Sequence, residues 1–294
     1  MIKKGAEKME WIQCLNRAMQ YIEEHLEDEI KYEEVAKLAC CSTYHFQRMF
    51  TYMANVPLSE YIRRRRMTMA AVRLQSTDIK IVDLALIYGY ESPTAFNRAF
   101  QSIHDVTPSK ARQEGISLKA YPPISFSLSI KGDVAMNYRI EKKEAFRIIG
   151  ISAPLHQDIE KNFEVVPMMW QKAAMSGTIE KLAAMMNGEP KGILGVSACN
   201  EREQWKYFIA AASHEPLDES LEEFTVPPAT WAIFYGEGTM PDAVQELEKR
   251  IVTEWLPTSG YEYGNAPDIE VYLSPDPQNA KFEVWIPVMK KEDN

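Results

Sequence analysis

Two runs of side chains, fifty residues apart, carry the same hydrogen-bonding chemistry. Phe46-Gln47-Arg48-Met49-Phe50 and Phe96-Asn97-Arg98-Ala99-Phe100 each set two phenylalanines four positions apart around an amide and an arginine. On a helix, residues four apart share a face, so the phenylalanines belong to a core and the polar residues to the other side. That other side collects Tyr44, Gln47 and Arg48 in the first run, and Thr94, Asn97 and Arg98 in the second. Arginine, glutamine and asparagine are the side chains that pair with base edges in the major groove of duplex DNA. A different chemistry belongs to Glu283, within Phe282-Glu283-Val284-Trp285-Ile286-Pro287. The alternation there puts Phe282, Val284 and Ile286 on one strand face and Lys281, Glu283 and Trp285 on the other. If that second face meets solvent, Glu283 is a plain surface carboxylate. If it lines an aromatic cleft, the carboxylate holds an apolar cation by charge and cation–π attraction.

The elements that must position the first set are short helices. Apolar residues from Trp11 to Leu26 recur at three- and four-residue steps, predicting an amphipathic helix. Further helices are predicted at Tyr32–Ala39, Thr43–Met53, Pro57–Gln75, Ile81–Tyr88 and Pro93–Ile103, with a last turn from Pro108. Glu34-Val35-Ala36 and Asp83-Leu84-Ala85 correspond at an offset of 49, whereas the phenylalanine runs correspond at 50. One residue is therefore added in the second turn of a repeated unit of short helix, tight turn and second helix, the helix-turn-helix pattern. Ala36 and Ala85 sit where two helices must cross closely. The Pro57–Gln75 helix between the repeats has a length of about 28 Å at 1.5 Å per residue. That could hold two reading helices close to one duplex turn, about 34 Å, apart. The connector also carries Arg63-Arg64-Arg65-Arg66, of which at most two can face one phosphate strand, since successive helical residues point about 100° apart. The others are expected in surface ion pairs of little worth.

The 294 residues predict two domains, and 46% hydrophobic with 26% charged residues describes a globular chain with a sizeable core. No apolar run reaches the roughly 20 residues of a membrane-spanning helix, and the first residues lack the apolar core of a secretory signal. The expectation is a cytoplasmic protein without a membrane partner. Cys14, Cys40, Cys41 and Cys199 form no C-x-x-C pair and have no histidines at zinc spacing, so neither a disulfide framework, a metal nor a cofactor is predicted. The net charge of -9 argues against a nucleic-acid partner only as an average. Residues 1–117 carry 16 basic and 15 acidic side chains, residues 118–294 carry 17 and 27, and the stretch 42–112 carries 10 and 5. A basic island thus precedes an acidic second half.

From Trp11 to Arg112 the chain resembles the DNA-binding domain of AraC/XylS-type transcription regulators. The resemblance rests on Glu34-Val35-Ala36, the Tyr44–Phe50 run, Pro57-Leu58-Ser59-Glu60-Tyr61-Ile62-Arg63, Ile81–Ala85, Tyr88-Gly89-Tyr90-Glu91-Ser92, the Phe96–Phe100 run and Thr107-Pro108-Ser109 before Arg112. It implies an all-α domain of two helix-turn-helix units spanning 1–115, with double-stranded DNA as partner. By position, the contacts it implies fall on Tyr44, Gln47, Arg48, Pro93, Thr94, Asn97 and Arg98, and Arg63 of the connector is a further candidate DNA contact. Three departures stand out. Cys40 replaces the glycine that relieves positive-φ strain in the first turn, so that turn is expected to run differently. Asn55 and Asp105 replace other glycines, with side chains that tolerate the left-handed region. Pro93 is expected to shift the start of the second reading helix.

Beyond Gly115 the texture changes. Tyr121-Pro122-Pro123 suggests a stiff stretch in a linker over 116–135, and Ile124, Phe126, Leu128 and Ile130 alternate with polar residues as in a half-buried strand. From Met136, strands are predicted at Tyr138–Ile140, Phe146–Ile151, Ile193–Ala198, Trp205–Ala210, Glu223–Val226, Thr230–Tyr235, Asp268–Leu273 and Lys281–Pro287, with helices near Pro167 and over Asp242–Glu254. The order predicts an α+β domain over 136–294, built twice from hairpin, helix and hairpin around a ligand cleft. This half is similar to the GyrI-like effector-binding domain, on Ala145–Gly150, Met169-Trp170, Trp205–Ala210, Ala232–Gly236, Glu254-Trp255-Leu256-Pro257 and Asp268–Tyr272. That similarity implies a small-molecule effector, of lipophilic or cationic character, bound by a glutamate on the last strand, here Glu283. Trp170, Tyr207 and Trp285 are the implied walls and Glu270 the second carboxylate.

The whole reads as a ligand-responsive transcription regulator and not an enzyme. A hydrolase using Glu283 as base with Tyr207 as partner is the second reading. A module that binds a protein, RNA polymerase or gyrase, is the third.

Overall fold

The computed structural model describes residues 3–127, 135–156, 159–199, 204–274 and 276–290. The chain divides into two compact units, Met1–Ser129 and Ile130–Asn294. The first contains α1 (Lys3–Glu24), α2 (Tyr32–Leu38), α3 (Thr43–Ala54), α4 (Leu58–Ser76), α5 (Ile81–Ile87), α6 (Pro93–His104) and α7 (Pro108–Ala111).

The repeat is visible in the backbone. In the first unit Cys41 N–H donates to Ala36 O at 3.1 Å, and in the second Tyr90 N–H donates to Ala85 O at 2.9 Å. The residue ahead of each donor is left-handed, Cys40 with φ 56° and Gly89 with φ 77°. The cysteine therefore does not redirect the first turn. The helix-end hydrogen bonds impose the same turn on both units, and the cysteine accepts a backbone region that L-residues seldom visit. Asn55 and Asp105 are left-handed as their side chains allow, with φ 52° and 61°. Ser42 accepts from His45 N–H at 3.2 Å and Ser92 from Ala95 N–H at 3.1 Å, so both second helices begin behind a serine cap. Pro93 takes the first helical position, where a missing N–H leaves nothing unbonded, and it shifts nothing. Phe46, Phe50, Phe96 and Phe100 are all buried.

Residues 116–127 do not form the predicted strand. The inward and outward alternation of Ile124 to Ser127 is real, but the inward side chains meet helices. Phe126 packs edge-on against Phe50 with centroids 6.1 Å apart. Its backbone pairs both ways with the Asn16 amide, Nδ2–H to O at 3.0 Å and N–H to Oδ1 at 2.8 Å. Ile124 N–H donates to Tyr61 Oη and Tyr121 N–H to Thr68 Oγ1, each at 3.1 Å. Side chains of α1 and α4 thus take the place of a neighbouring strand. Leu128 and Ile130, the rest of that pattern, lie outside the described residues.

The second unit contains β1 (Tyr138–Lys143), β2 (Phe146–Pro154), α8 (Ile159–Met175), α9 (Thr178–Met185), β3 (Ile193–Cys199), β4 (Trp205–Ala212), β5 (Glu222–Val226), β6 (Ala229–Gly238), α10 (Asp242–Arg250), β7 (Tyr261–Tyr263), β8 (Asp268–Tyr272) and β9 (Ala280–Lys290). A π turn, Ile251–Trp255, continues α10. The sheet order is β1-β6-β9-β8-β3-β4-β2-β5, with β7 added against β9, and the pairings are antiparallel. The predicted duplication is present in this order, which reads the same from either end once each strand of one half is exchanged for its counterpart. Two predicted hairpins are not. β1 pairs with β6 instead of β2, and β5 pairs with β2 instead of β6, so each half lends its first strand to the other.

That exchange dictates curvature. β1 and β2 are six places apart in the sheet, about 29 Å at strand spacing, yet only Glu144 and Ala145 link them. β5 and β6 are equally far apart and are linked by Pro227 and Pro228 alone. Two linking residues reach about 11 Å, so the sheet must curl until its ends approach. Trp231, Ile233, Trp285, Val271, Phe208 and Ile148 fill the inside of the curl, with Phe146 and Phe224 from the opposite end against them. The helices pack outside, α8 and α9 over β2 and β4 through Ala173 and Leu182, α10 and its π turn over β6 and β9 through Val244, Ile251 and Trp255. α8 begins at Ile159, earlier than predicted, with Pro167 inside it, and α9 was not foreseen.

Candidate functional site

In the helical unit, the predicted DNA contacts divide by exposure. Pro93, Thr94 and Arg98 are exposed at the start of α6, and Asn97 is half-buried, its Oδ1 accepting from Gln101 Nε2 at 2.7 Å. On α3, Tyr44 is half-buried, and Arg48 lies 5.8 Å over the Tyr52 ring while Nε donates to Tyr52 Oη at 3.3 Å. Gln47 is buried, at 6% exposure, so in this conformation it presents little to a groove.

The four arginines of α4 serve as fasteners within the unit. Arg63 donates Nε to Glu60 at 2.7 Å and Nη1 to Ser102 Oγ at 2.7 Å, joining α4 to α6. Arg64 pairs with the same Glu60 at 2.6 Å and lies 5.0 Å over the Tyr121 ring. Arg65 is buried, donating Nη2 to Glu23 Oε2 at 2.6 Å and Nη1 to Tyr121 O. Arg66 donates to the carbonyls of Leu26 and Asp28, which end the turn after α1. Sequence spacing showed that few could meet one phosphate strand. It could not show that α1 and the segment after α7 supply partners for the rest.

In the second unit, the predicted ligand residues fall on two faces of the sheet. Tyr207, Glu270 and Trp170 come together on the outer face, the one against which α8 packs. Glu270 pairs with Gly195 across β8 and β3. Tyr207 Oη donates to Glu270 Oε2 at 3.0 Å, and Trp170 Nε1–H donates to Tyr207 Oη at 2.9 Å. Tyr272, absent from the prediction, donates its hydroxyl to the same Oε2 at 2.8 Å and meets the Trp170 ring edge-on at 4.8 Å. Burial and the Glu270 carboxylate push the Tyr272 phenol well above its ordinary value, so it remains a donor. Gly195 is the floor beneath them. A Cβ there would stand 2.7 Å from Glu270 Oε2 and closer still to the Tyr207 hydroxyl.

Glu283 and Trp285 are on the inner face. Glu283 aligns with Tyr235 and Val271 across its neighbouring strands, whereas Glu270 aligns with Val284. Both Glu283 oxygens are engaged, by Arg139 Nη1 at 2.8 Å and Nη2 at 3.1 Å, and Trp285 Nε1–H adds a third bond at 2.8 Å. Lys143 lies 5.7 Å over the Trp285 ring. These residues edge an open cleft of about 880 Å³ at the mouth of the curl. The expected grouping of Glu283 with Trp170 and Tyr207 is thereby corrected. The sheet separates them, and Glu270 is the carboxylate among the aromatics. The same separation removes the pairing of Glu283 as base with Tyr207. Tyr272 had a legible signal, since it shares the face of Glu270 two residues on.

Residues 139–288 match the family described as integron-associated effector binding protein, and residues 35–114 match that of a helix-turn-helix domain. The regulatory protein SoxS of Salmonella typhimurium is 38% identical over 100 residues, which are 34% of this chain and 94% of that protein. The HTH-type transcriptional activator AarP of Providencia stuartii is 33% identical over 98 residues, 33% of this chain and 73% of that protein. Among solved structures, that of SAV2435 bound to tetraphenylphosphonium aligns with 22% identity and a TM-score of 0.46, over 52% of this chain and 94% of its own.

Proposed function

This chain belongs to the AraC-type transcription regulators that carry an integron-associated effector-binding domain, and we propose that its second unit takes a small apolar cation at Glu270 while α3 and α6 read duplex DNA. The observation that carries the ligand assignment is the carboxylate of Glu270, half-buried between Trp170, Tyr207 and Tyr272 over a glycine floor. A carboxylate drawn out of water among aromatic side chains favours a cation that can shed its own hydration. Phenols donate to Glu270, whereas the guanidinium of Arg139 already neutralises Glu283. Base reading falls to Arg98, Thr94 and Asn97 on α6 and to Tyr44 and Arg48 on α3.

We read the cation as an effector and not as a substrate. Its binding alters transcription by favouring one conformation of the regulator over another, with RNA polymerase as the machinery it addresses. A duplex-reading role supports a cytoplasmic location. No helix among the described residues is long and apolar enough to cross a membrane.

The test is a calorimetric titration of the full chain with tetraphenylphosphonium, a cation without hydrogen-bond donors. Glu270→Gln is expected to weaken binding by tenfold or more, and Glu283→Gln to leave it within twofold. The reverse pattern would overturn the choice of carboxylate, and turnover of the ligand would overturn sensing.

A further inference from the structure

Three of the four cysteines meet in the helical unit, at a place that DNA reading leaves unexplained. Cys14 is buried on α1, and its Sγ lies 3.0 Å from Sγ of Cys40, inside the contact distance of two unbonded sulfurs. Arg17 Nη2 donates to Cys14 Sγ at 3.0 Å, setting a guanidinium against the same atom. Cys40 is exposed, and it occupies the left-handed position that Gly89 fills in the second unit. A side chain there carries backbone strain that glycine would avoid. Backbone geometry therefore does not account for a cysteine at position 40, whereas its sulfur does.

We propose that Cys14 and Cys40 are a redox-modified pair, closing a reversible disulfide that fastens α1 to the turn ahead of α3. The oxidant is a low-molecular-weight disulfide, R–S–S–R. The exposed Cys40 thiolate attacks one of its sulfurs, the R–S–S–R bond breaks, and the first RS⁻ leaves a mixed disulfide on Cys40. Cys14 then attacks Sγ of Cys40. The Cys14–Cys40 bond forms, the bond to R–S breaks, and the second RS⁻ leaves. The two protons of the cysteine thiols go to the two RS⁻ groups, so the protein pair loses two electrons and the small disulfide becomes two thiols. Arg17 places positive charge where the second attacking sulfur must carry negative charge.

Cys41 adjoins the pair but is not part of it. Burial pushes its thiol up, with the neighbouring Cys40 and Cys14 adding to the shift, so it stays protonated. The consequence is regional. Ser42, the cap of α3, follows Cys41 directly, and a bond at Cys40 removes freedom from the turn that aims that helix.

The experiment equilibrates the full chain with oxidised glutathione, quenches with acid, and counts thiols and maps linked peptides by mass spectrometry. The expected result is loss of two of the four free thiols as a Cys14–Cys40 cross-link, restored by dithiothreitol. Cys14→Ser and Cys40→Ser should abolish the cross-link, and Cys41→Ser and Cys199→Ser should leave it. Cys40→Gly is the folding control, since glycine suits the left-handed turn. It should keep full thermal stability and DNA retention while losing the redox response. A glutathione adduct that stays on Cys40, a Cys40–Cys41 link, or four thiols unchanged would each overturn the proposal.

Discussion

Gly195 and Glu270 face one another as the central pair of the β3–β8 ladder, and the phenol of Tyr207 lies over the glycine to reach the carboxylate. At an offset of 75, Leu194 and Val196 correspond to Ile269 and Val271, so Gly195 and Glu270 are counterparts across the internal duplication. One half of the repeat contributes the charge and the other the room for it.

Gly195→Ala is expected to displace the Tyr207 hydroxyl and the Glu270 carboxylate together. Overpacking of this kind destabilises by about 1–3 kcal/mol, and tetraphenylphosphonium affinity should fall at least tenfold. Calorimetry and thermal melts on the same preparation check both. Unaltered affinity would refute the glycine floor.

Arg98 and Arg65 should separate reading from stability. Arg98 is exposed on α6 and has no hydrogen-bond or ion-pair partner among the described residues. Arg98→Ala should cost about 1–3 kcal/mol of affinity for a duplex selected from a random pool and relax base preference at one position, with an unchanged urea midpoint. Arg65→Ala should do the opposite in solution. It leaves Glu23 without its guanidinium in a largely buried site, a loss of about 3 kcal/mol in unfolding free energy.

Acid should loosen the helical unit through His104. Burial lowers its imidazole below the ordinary value, Nε2–H donates to Met67 O at 3.0 Å, and Nδ1 is buried without an acceptor to receive a proton's hydrogen bond. Above about pH 6.5 both folded and unfolded chains hold a neutral ring, and its contribution is complete. As pH falls below that, the unfolded chain takes up a proton that the folded one resists, and stability declines. Urea midpoints at pH 7.5 and 5.5 should differ more for the wild type than for His104→Gln.

The helices α2 to α6 were legible to within a residue because their signals are local. Alanines at crossings and phenylalanines four apart each determine a turn or a face within a few positions. The sheet unit was legible in its strands but not in their partners. Alternation around Glu283 assigns it to a face, yet nothing within a strand says which face the helices cover. The β1–β2 and β5–β6 links are short enough for hairpins, and only the pairing of distant strands shows that each instead crosses the gap of a curled sheet. Cys14 and Cys40 are 26 positions apart, beyond the reach of any spacing rule, and meet because α1 packs on α2.

The exchange of β1 and β5 has a mechanical consequence for sensing. Each half holds a strand of the other through a full antiparallel ladder, so the halves are latched at two separate seams besides their join at β3–β8. Swinging them apart about a central hinge would tear both seams. A molecule bound over Gly195, as proposed, therefore meets a floor that is held shut at three seams.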